Sequence, residues 1–454
     1  MNYPDSVQFL YALGNEIKTA KFGLERIRTV LEALGNPQDR CRFVHVAGTN
    51  GKGSICAMIE SALRAAGHRT GMFISPHLTE PTERISIDGR PVSVAVFADA
   101  FNRVHQTVEA LLDRGAIDFH TSYFETVTAM AFLIFAEAQT TMVALETGLG
   151  GRLDATNVVR PDLCVITPID FDHEAYLGRS LEAIAGEKAG ILKPGVLGVF
   201  SRQRPEAQAV LERRAAELGV EVLLAAKSQV CDLQVTARGS QFTLVAPEAW
   251  QLPRSARVPL GPPHITLRLT CPLAGEHQVE NAVTAALALL PLGVPQMAIQ
   301  DGIARTHWPG RLEHVSEDPE ILIDGAHNPA GARALAAFLD RFYRGRRVRM
   351  IYGAMRDKAI EEIAGILFPL ADELIFTAPA SDRALRPEAL LELAGRGHTA
   401  PDIAGALDLL RRRAAEEDIS EDVVVITGSL FLVGEARVLF TRGGYTIGHL
   451  IPAA

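Results

Sequence analysis

The chain has 454 residues, a length that exceeds one ordinary hydrophobic core and predicts two or three domains. Hydrophobic residues make up 48% of it and charged residues 22%, which is typical of a soluble globular protein. The net charge of −9 argues against nucleic acid as a partner, and five cysteines without a C-x-x-C pair argue against a disulfide framework or a zinc site.

Most of the first three hundred residues, and all of the chain up to residue 220, alternate short apolar runs with stretches of helical periodicity. Strands are predicted at Arg42–Ala47, Arg69–Ser75, Thr141–Glu146, Leu163–Ile169 and Gly198–Ser201. Helices are predicted at Phe22–Leu34, Ser54–Ala66, Val96–Leu112, Thr126–Ala138 and Pro205–Leu218. Such alternation predicts an α/β fold with a mainly parallel sheet, whose ligands gather at the carboxyl ends of the strands.

The pattern changes after residue 220. Short alternating runs at Ser228–Val235, Gln241–Val245 and His264–Leu269 predict a small antiparallel flap within 220–270. Helices are predicted at Glu276–Leu290 and Pro295–Arg305. The sequence WPGR at 308–311 then interrupts the pattern and predicts a hinge at 307–312.

Alternation resumes beyond the hinge. Strands are predicted at Ile321–Asp324, Arg347–Gly353, Asp372–Thr377 and Asp422–Thr427, and helices at Ala330–Arg341, Ile360–Leu367, Pro387–Leu393 and Ile403–Glu416. We therefore expect an N-terminal P-loop domain over 1–306 and a Rossmann-like α/β domain over 313–454.

A glycine-rich turn, HVAGTNGKGS at 45–54, lies between a predicted strand and a predicted helix. Such a turn forms an anion cradle, because backbone N–H groups converge there and the helix N-terminus is partly positive. Gly48, Gly51 and Gly53 allow close approach to phosphate, Lys52 can reach terminal phosphates, and Ser54 can lie near them or their metal. The usual P-loop pattern is only partly matched, since Gly53 separates Lys52 from Ser54. The turn predicts use of ATP.

Two further side chains follow predicted parallel strands. Glu146 ends one strand, and its carboxylate is a suitable magnesium ligand, although a solvated strand-end glutamate would look the same. His173 follows the next strand, and its spacing alone leaves open whether it is a ligand or structural. Lys188 ends a helical stretch, and taken alone it fits an ordinary surface lysine.

Together these segments make the chain resemble the folylpolyglutamate synthase family of the Mur ligase superfamily, including its bifunctional dihydrofolate synthase members. The resemblance covers nearly the whole chain through these motifs: AGTNGKGS (47–54), SPHL (75–78), LETGLGGRLDATN (145–157), DH (172–173), GEKAGI (186–191), HQVENA (277–282), PGR (309–311), DGAHNP (324–329), GAMRDK (353–358) and TGSL (427–430). The 145–157 and GEKAGI motifs are the most specific.

The resemblance implies a role for each matching residue. Nucleotide contacts are implied for Gly48, Thr49, Asn50, Gly51, Lys52, Gly53, Ser54, Asn281, Arg311, Asp324 and His327. Magnesium ligands, at two sites, are implied for Ser75, Glu146, His173 and Lys188, the last as a carbamate formed with CO₂. The pterin pocket is implied at Ser122, Tyr123, Phe124, Glu125, Leu153, Asp154 and Ala155. Lys52, Lys188 and His173 are the residues to which catalysis is assigned.

The implied activity is ATP-dependent addition of L-glutamate to dihydropteroate and to reduced folates through an acyl phosphate. Its partners would be small molecules only, and a monomer is expected. No charged-then-apolar leader and no apolar run near the roughly 20 residues of a membrane span occur, so a cytoplasmic protein is expected.

Three alternatives remain at this point. A folylpolyglutamate synthase without dihydropteroate activity would share the same motifs. A cell-wall Mur ligase usually carries a UDP-sugar domain before the P-loop, and 47 residues before Gly48 are too few for one. A P-loop switch would leave GEKAGI and DGAHNP unexplained. The segment GSLFLVGE at 428–435 lacks the histidine expected there, which leaves the glutamate-side contacts open.

Overall fold

The computed structural model describes residues 1–14, 23–246 and 265–441. The elements up to residue 304 are α1 Tyr3–Ala12, α2 Glu25–Ala33, β1 Arg42–Ala47, α3 Lys52–Ala65, β2 Thr70–Phe73, β3 Ile85–Ile87, β4 Arg90–Pro91, α4 Val94–Asp113, α5 Tyr123–Glu137, β5 Met142–Glu146, β6 Leu163–Ile166, α6 Glu174–Leu177, α7 Leu181–Ala189, β7 Leu197–Phe200, α8 Pro205–Leu218, β8 Val222–Leu224, β9 Gln229–Thr236, β10 Gly239–Val245, β11 Thr266–Cys271, α9 Glu276–Leu289 and α10 Gln296–Ala304.

The later elements are β12 Glu313–Glu317, β13 Glu320–Asp324, α11 Pro329–Phe342, β14 Val348–Tyr352, α12 Ile360–Leu367, β15 Glu373–Phe376, α13 Pro387–Ala394, β16 His398–Thr399, α14 Ile403–Glu416, β17 Val423–Thr427 and α15 Leu430–Thr441. Within the described ranges, no helix combines the length and apolar character needed to cross a membrane.

The large sheet has the strand order β4-β3-β2-β5-β1-β6-β7-β8 and is parallel from β2 to β8, with an antiparallel edge formed by β3 and β4. Its central strands are apolar on both faces. Val44 of β1 packs in the core with α3 and α9, whereas Phe43 packs on the other side with α4 and α5. A strand covered by helices on both faces explains the unbroken apolar run seen in the sequence.

The small antiparallel sheet has the order β11-β10-β9. Alternating side chains of β10, such as Phe242 and Leu244, enter the same core as α3. The flap starts later than expected, at Gln229, because Val222–Leu224 pairs in parallel with β7 and extends the large sheet. His264 and the rest of 247–264 lie outside the described residues.

The C-terminal sheet has the order β12-β13-β17-β14-β15-β16, antiparallel between β12 and β13 and parallel elsewhere. Leu322 of β13 faces the core formed with α11 and α12, whereas Ile321 and Ile323 face α14 and α15. Helices on both faces of a mainly parallel sheet confirm the Rossmann-like prediction. Residues 442–454 of the predicted domain lie outside the described range.

Candidate active site

The turn between β1 and α3 requires its glycines. Gly48 has φ +153°, and a Cβ atom there would stand 1.8 Å from the hydroxyl of Thr167. Gly51 has φ +84°, and a Cβ atom there would stand 2.5 Å from Oδ1 of Asn281. Gly51 precedes the first residue of α3 without a side-chain cap, so the helix N-terminus keeps N–H groups for an anion.

The segment that follows β6 holds the turn in place. The Thr49 hydroxyl donates to the carbonyl of Asp170 at 3.0 Å and accepts from its N–H at 3.1 Å. The Thr167 hydroxyl donates to the carbonyl of Asn50 at 2.7 Å. Thr49 and Asn50 are therefore fixed by the neighbouring strand end, which makes the turn rigid before any ligand binds.

Lys52 lies over the turn, where its Nζ donates to the carbonyl of Thr49 at 3.1 Å. Its ammonium is 3.9 Å from Oε1 of Glu146, a separation that leaves it able to contact another anion. Helix α9 contacts the turn from another side. Its Gln278 donates to the Ser54 hydroxyl at 3.3 Å and accepts from the side-chain amide of Asn281.

Glu146 is buried at the carboxyl end of β5, as its place in the sequence predicts. Its Oε2 accepts the N–H of Ser75 at 3.2 Å. Burial raises the pKa of Glu146, while the positive charges of Lys52 and Arg311 oppose this effect. The carboxylate is thus buried and not solvated, and with Lys52 no closer than 3.9 Å its oxygens fit a metal ligand.

His173 has a left-handed backbone (φ +52°) directly before α6. Burial lowers the pKa of His173 to about 4, so the imidazole is neutral near pH 7 and has a lone pair for a metal or a proton. Its side chain and that of Ser75 both line the cleft described below.

Lys188 of α7 is buried, with 4% of its surface exposed, so the interpretation as a surface lysine is wrong. Its Nζ donates to the carbonyl of Gly48 at 2.7 Å, which links α7 to the phosphate turn. Burial, assisted by the charge of Lys52, lowers the pKa of Lys188 to about 7. Near pH 7 a large fraction of the molecules therefore has a neutral, nucleophilic amine at Lys188.

Asp172 joins the two α/β halves of the chain. Its Oδ1 is 2.7 Å from Nζ of Lys358, and its Oδ2 accepts from the side-chain amide of Asn328 at 3.1 Å. Asn328 also donates to Oδ1 of Asn50 at 3.0 Å. Burial acts to raise the pKa of Asp172, but the Lys358 ammonium and two nearby histidines hold it well below its usual range. Asp172, Asn328 and Lys358 are not among the predicted site residues, although each lies within one of the motifs DH, DGAHNP and GAMRDK.

Arg311 and Asp324 lie together at the start of the C-terminal half. The two Asp324 oxygens accept the N–H groups of Leu312 and Ala326, both at 2.9 Å. Burial raises the pKa of Asp324, opposed by the charge of Arg311. These bonds give Asp324 a structural role at this turn, and its nucleotide contact stays a prediction. His327 lies nearby, with Nε2 3.7 Å from Asp172.

A central cleft of about 920 Å³ runs between the two halves. All of the predicted pterin residues line it: Ser122, Tyr123, Phe124, Glu125, Leu153, Asp154 and Ala155. Arg26, which the sequence analysis missed, forms an ion pair with Glu125 at 2.6 Å, and the Arg84 guanidinium lies 4.8 Å from the Tyr123 ring. The segment 429–435 contributes Ser429 and Glu435 from the opposite side.

Two family models match the chain, the Mur ligase middle domain over residues 93–289 and the Mur ligase glutamate ligase domain over residues 310–430. Dihydrofolate synthase/folylpolyglutamate synthase of Mycobacterium tuberculosis is 38% identical over 453 residues, covering 92% of this chain and 90% of the relative. This chain belongs to the folylpolyglutamate synthase family of Mur ligases. The Escherichia coli relative with the same name is 35% identical and covers 92% and 90%.

Solved structures of the folylpolyglutamate synthase family agree with this assignment. Mycobacterium tuberculosis folylpolyglutamate synthase complexed with ADP and AMPPCP has a TM-score of 0.86 at 34% identity, covering 97% of this chain and 99% of that chain. Escherichia coli FolC in complex with DHPP and ADP has a TM-score of 0.84 at 31% identity, covering 98% and 99%. The predicted family, two-part α/β fold and class of ATP-dependent amide-forming ligase are confirmed.

Proposed function

We propose that this family member adds L-glutamate to dihydropteroate, giving dihydrofolate, and to reduced folates, giving polyglutamates. The observation that supports this most directly is the central cleft, where the predicted pterin residues share one space with His173 and with Lys358 of the C-terminal half. The bifunctional names of the relatives at 38% and 35% identity support activity on both substrates.

The proposed reaction begins with attack of a substrate carboxylate oxygen on the γ-phosphorus of ATP. This step forms an acyl phosphate and releases ADP. The α-amine of glutamate then attacks the acyl carbon, the bond from carbon to the phosphate oxygen breaks, and inorganic phosphate and a proton leave. Lys52, which lies over the turn at 3.1 Å from the Thr49 carbonyl, would neutralise the phosphoryl group during transfer.

Magnesium fits the side chains near the turn. The Glu146 carboxylate is buried, and Lys52 approaches one of its oxygens no closer than 3.9 Å. We propose Ser75, Glu146 and His173 as the ligands of one ion and Lys188 as a ligand of a second. When bound, the ions supply positive charge to the phosphate oxygens.

We propose that Lys188 works as a carbamate. Loss of its proton is favoured by burial, which lowers its pKa to about 7, and the neutral amine can then add to the carbon of CO₂. The carbamate nitrogen retains one N–H, so it can still donate to the Gly48 carbonyl that the ammonium contacts at 2.7 Å. The addition releases one proton and replaces a cation with a carboxylate-like group, whose two oxygens share one negative charge and are of the kind that magnesium prefers.

We propose that domain closure protects the acyl phosphate from water. Residues 1–306 would form the ATP- and pterin-binding domain, 307–312 the hinge and 313–454 the ligase domain. Contacts across this division support the proposal, including the Lys358–Asp172 ion pair at 2.7 Å and the Asn328–Asn50 hydrogen bond at 3.0 Å. We also propose that the protein is a monomer and is located in the cytoplasm.

One assay separates the alternatives. The purified protein receives ATP, L-glutamate and either dihydropteroate or tetrahydrofolate, with phosphate release followed and the product identified by mass. We expect a product one glutamate heavier from each substrate and no product from a Lys52→Ala control. Product from tetrahydrofolate alone would identify a folylpolyglutamate synthase without dihydropteroate activity. Phosphate release without glutamate and without product would identify a switch ATPase.

A further inference from the structure

Three potential metal ligands meet outside the central cleft. His105 and Glu109 lie four residues apart on one face of α4, and His120 lies in the segment before α5. The Nδ1 atom of His105 is 3.4 Å from Nε2 of His120, and Oε1 of Glu109 is 3.9 Å from each nitrogen. Among residues 1–14, 23–246 and 265–441, no other group of three histidine, cysteine or acidic side chains brings its donor atoms this close.

Two contacts of His120 bear on which of its nitrogens has the lone pair. Its Nδ1 is 2.9 Å from the carbonyl oxygen of Thr121 and 3.3 Å from the Thr121 hydroxyl. Because a carbonyl can only accept, the shorter contact favours the proton on Nδ1, and Nε2 then presents its lone pair toward His105 and Glu109. Metal-binding histidines almost always donate their second ring N–H in this way, to a backbone carbonyl or a carboxylate.

Aromatic side chains hold both imidazoles from behind. The Phe9 ring centroid is 4.6 Å from that of His105 and 5.4 Å from that of His120. The Phe101 ring stacks on His105 at 5.5 Å with an interplanar angle of 11°. The histidines are mostly buried and Glu109 is about half exposed, so the donor atoms are fixed on one side and open to solvent on the other.

We propose that His105, Glu109 and His120 form a transition-metal site that takes Zn²⁺ or a similar ion, with water as a fourth ligand. Tetrahedral zinc with bonds of about 2.0–2.1 Å places its donor atoms about 3.4 Å apart, which matches the two imidazole nitrogens. The exposed Glu109 carboxylate needs to move by only about 0.5 Å to complete the set. Two imidazoles with one carboxylate favour zinc over magnesium, so this site differs in chemistry from the proposed magnesium sites.

The metal would stabilise one wall of the central cleft without taking part in the reaction. His120 lies two residues before Ser122, the N-cap of α5. Ser122 and Glu125 form a capping box there, with the Ser122 N–H donating to Glu125 at 2.8 Å, and both residues line the cleft. A metal joining His120 to α4 would therefore restrain the segment that leads into this wall.

Zinc titration calorimetry of the chelator-treated protein tests the site, in the presence of magnesium and ADP. We expect one equivalent of Zn²⁺ to bind to the wild type, to bind at least about tenfold more weakly to Glu109→Gln, and to be lost in His105→Gln and His120→Gln. His398→Gln, which changes an exposed histidine in β16, should bind as the wild type does, and so should Glu146→Gln. Zinc should also raise the melting temperature of the wild type but not that of His120→Gln.

Two results would overturn the proposal. One is a wild type that binds no Zn²⁺, which would leave the cluster as two hydrogen-bonded histidines beside a carboxylate. The other is unchanged zinc binding in both Glu109→Gln and His120→Gln. Circular dichroism checks the fold of each variant, and Glu109→Gln remains informative if a histidine variant fails to fold, because its side chain is half exposed.

Discussion

Two buried cations in this molecule have opposite surroundings. Arg349 of β14 is fully buried, and three carboxylates contact its guanidinium, those of Asp422, Glu373 and Glu417. Lys188 of α7 is almost as buried, yet its ammonium donates to the backbone carbonyl of Gly48 and feels the positive charge of Lys52. Their pKa values shift in opposite directions. Burial lowers the pKa of Lys188 to about 7, whereas the carboxylates outweigh burial and raise the pKa of Arg349.

The difference separates a structural charge from a functional one. The charge of Arg349 is neutralised by the fold itself, so it needs no ligand. Lys52 and Lys188 instead lie beside a turn whose glycines and helix N-terminus favour anions, and the Lys52 ammonium is 3.9 Å from its nearest carboxylate contact, Glu146. A site of this kind is suited to the phosphates of a nucleotide, whose negative charge would complete it.

The largest effect is expected when Lys52, the cation on the phosphate turn, is removed. Lys52→Ala should lower glutamate-dependent turnover by on the order of 10³-fold, because its ammonium is the side-chain cation lying over the turn. The melting temperature without nucleotide should stay close to that of the wild type, since the side chain supports no apolar core. Steady-state kinetics with a thermal melt checks both, and turnover like that of the wild type would remove Lys52 from the mechanism.

Arg349→Met should have the opposite effects, with a loss of stability and unchanged turnover. Removing the guanidinium leaves the buried Asp422 carboxylate without its Arg349 partner and leaves Glu373 with the longer contact to Arg413 at 3.5 Å, which should lower the free energy of unfolding by about 3 kcal/mol. The turnover of the folded fraction should not change, because neither Arg349 nor its carboxylate partners line the central cleft. Urea denaturation measures the loss, and a variant as stable as the wild type would show that the carboxylates are neutralised in another way.

Lys188→Ala tests the carbamate. Turnover should fall by on the order of 10²-fold, and acetate or formate should partly restore it by supplying oxygen ligands in the vacated space. Alkylamines serve as the matched control, because they would replace an ammonium but not a carbamate. Rescue by amines and not by carboxylates would identify Lys188 as a simple phosphate-binding cation.

Glu146→Gln and His173→Ala should each raise the magnesium concentration needed for half-maximal turnover by about tenfold or more, because each removes a proposed ligand. Titration of magnesium at saturating ATP provides the measurement. His398→Gln is a suitable control, since this exposed side chain lies at the far edge of the C-terminal sheet. An unchanged magnesium dependence in both variants would place the metal elsewhere.

The smallest effect concerns His45, a buried group whose pKa is lowered by burial and by the charge of Lys193. His45 of β1 is fully buried, and burial lowers its pKa to about 3, so it is neutral in the folded state. Only the unfolded chain takes up this proton between pH 6.5 and 3, so the stability is full above pH 6.5 and falls as the pH falls. Between pH 7 and 5.5 the loss should be about 1 kcal/mol. His45→Gln should remove this part of the slope, and equal slopes in wild type and variant would contradict it.

The sequence predicts the long elements well because their ends carry local signals. Helix α8 was predicted with its observed bounds, since Pro205 occupies its first turn and Gly219 adopts the left-handed conformation at its end. The hairpin of β3 and β4 was not predicted, because strands of three and two residues are too short to show a periodic pattern. Strand β12, with the sequence EHVSE, is too polar to resemble a strand, and pairs only because β13 lies beside it.

The site residues also differ in how well the sequence predicts them. Residues around the phosphate turn and Glu146 could be found because each lies at the end of a recognisable strand. Asp172 and Lys358 are 186 residues apart in sequence, and Arg26 is 99 residues from Glu125. No local pattern specifies such pairs, because they form only when segments far apart in the sequence pack together.

The close approach of Trp308 to Gly53 explains why this unusual phosphate turn has a glycine between Lys52 and Ser54. A Cβ atom on residue 53 would stand 2.4 Å from Cζ2 of the Trp308 indole, which belongs to the WPGR segment between the two halves. The glycine between Lys52 and Ser54 is thus required by the indole of Trp308, a residue 255 positions later in the sequence. A larger side chain at residue 53 would therefore require the Trp308 indole to shift or to be replaced, so the two positions are sterically coupled.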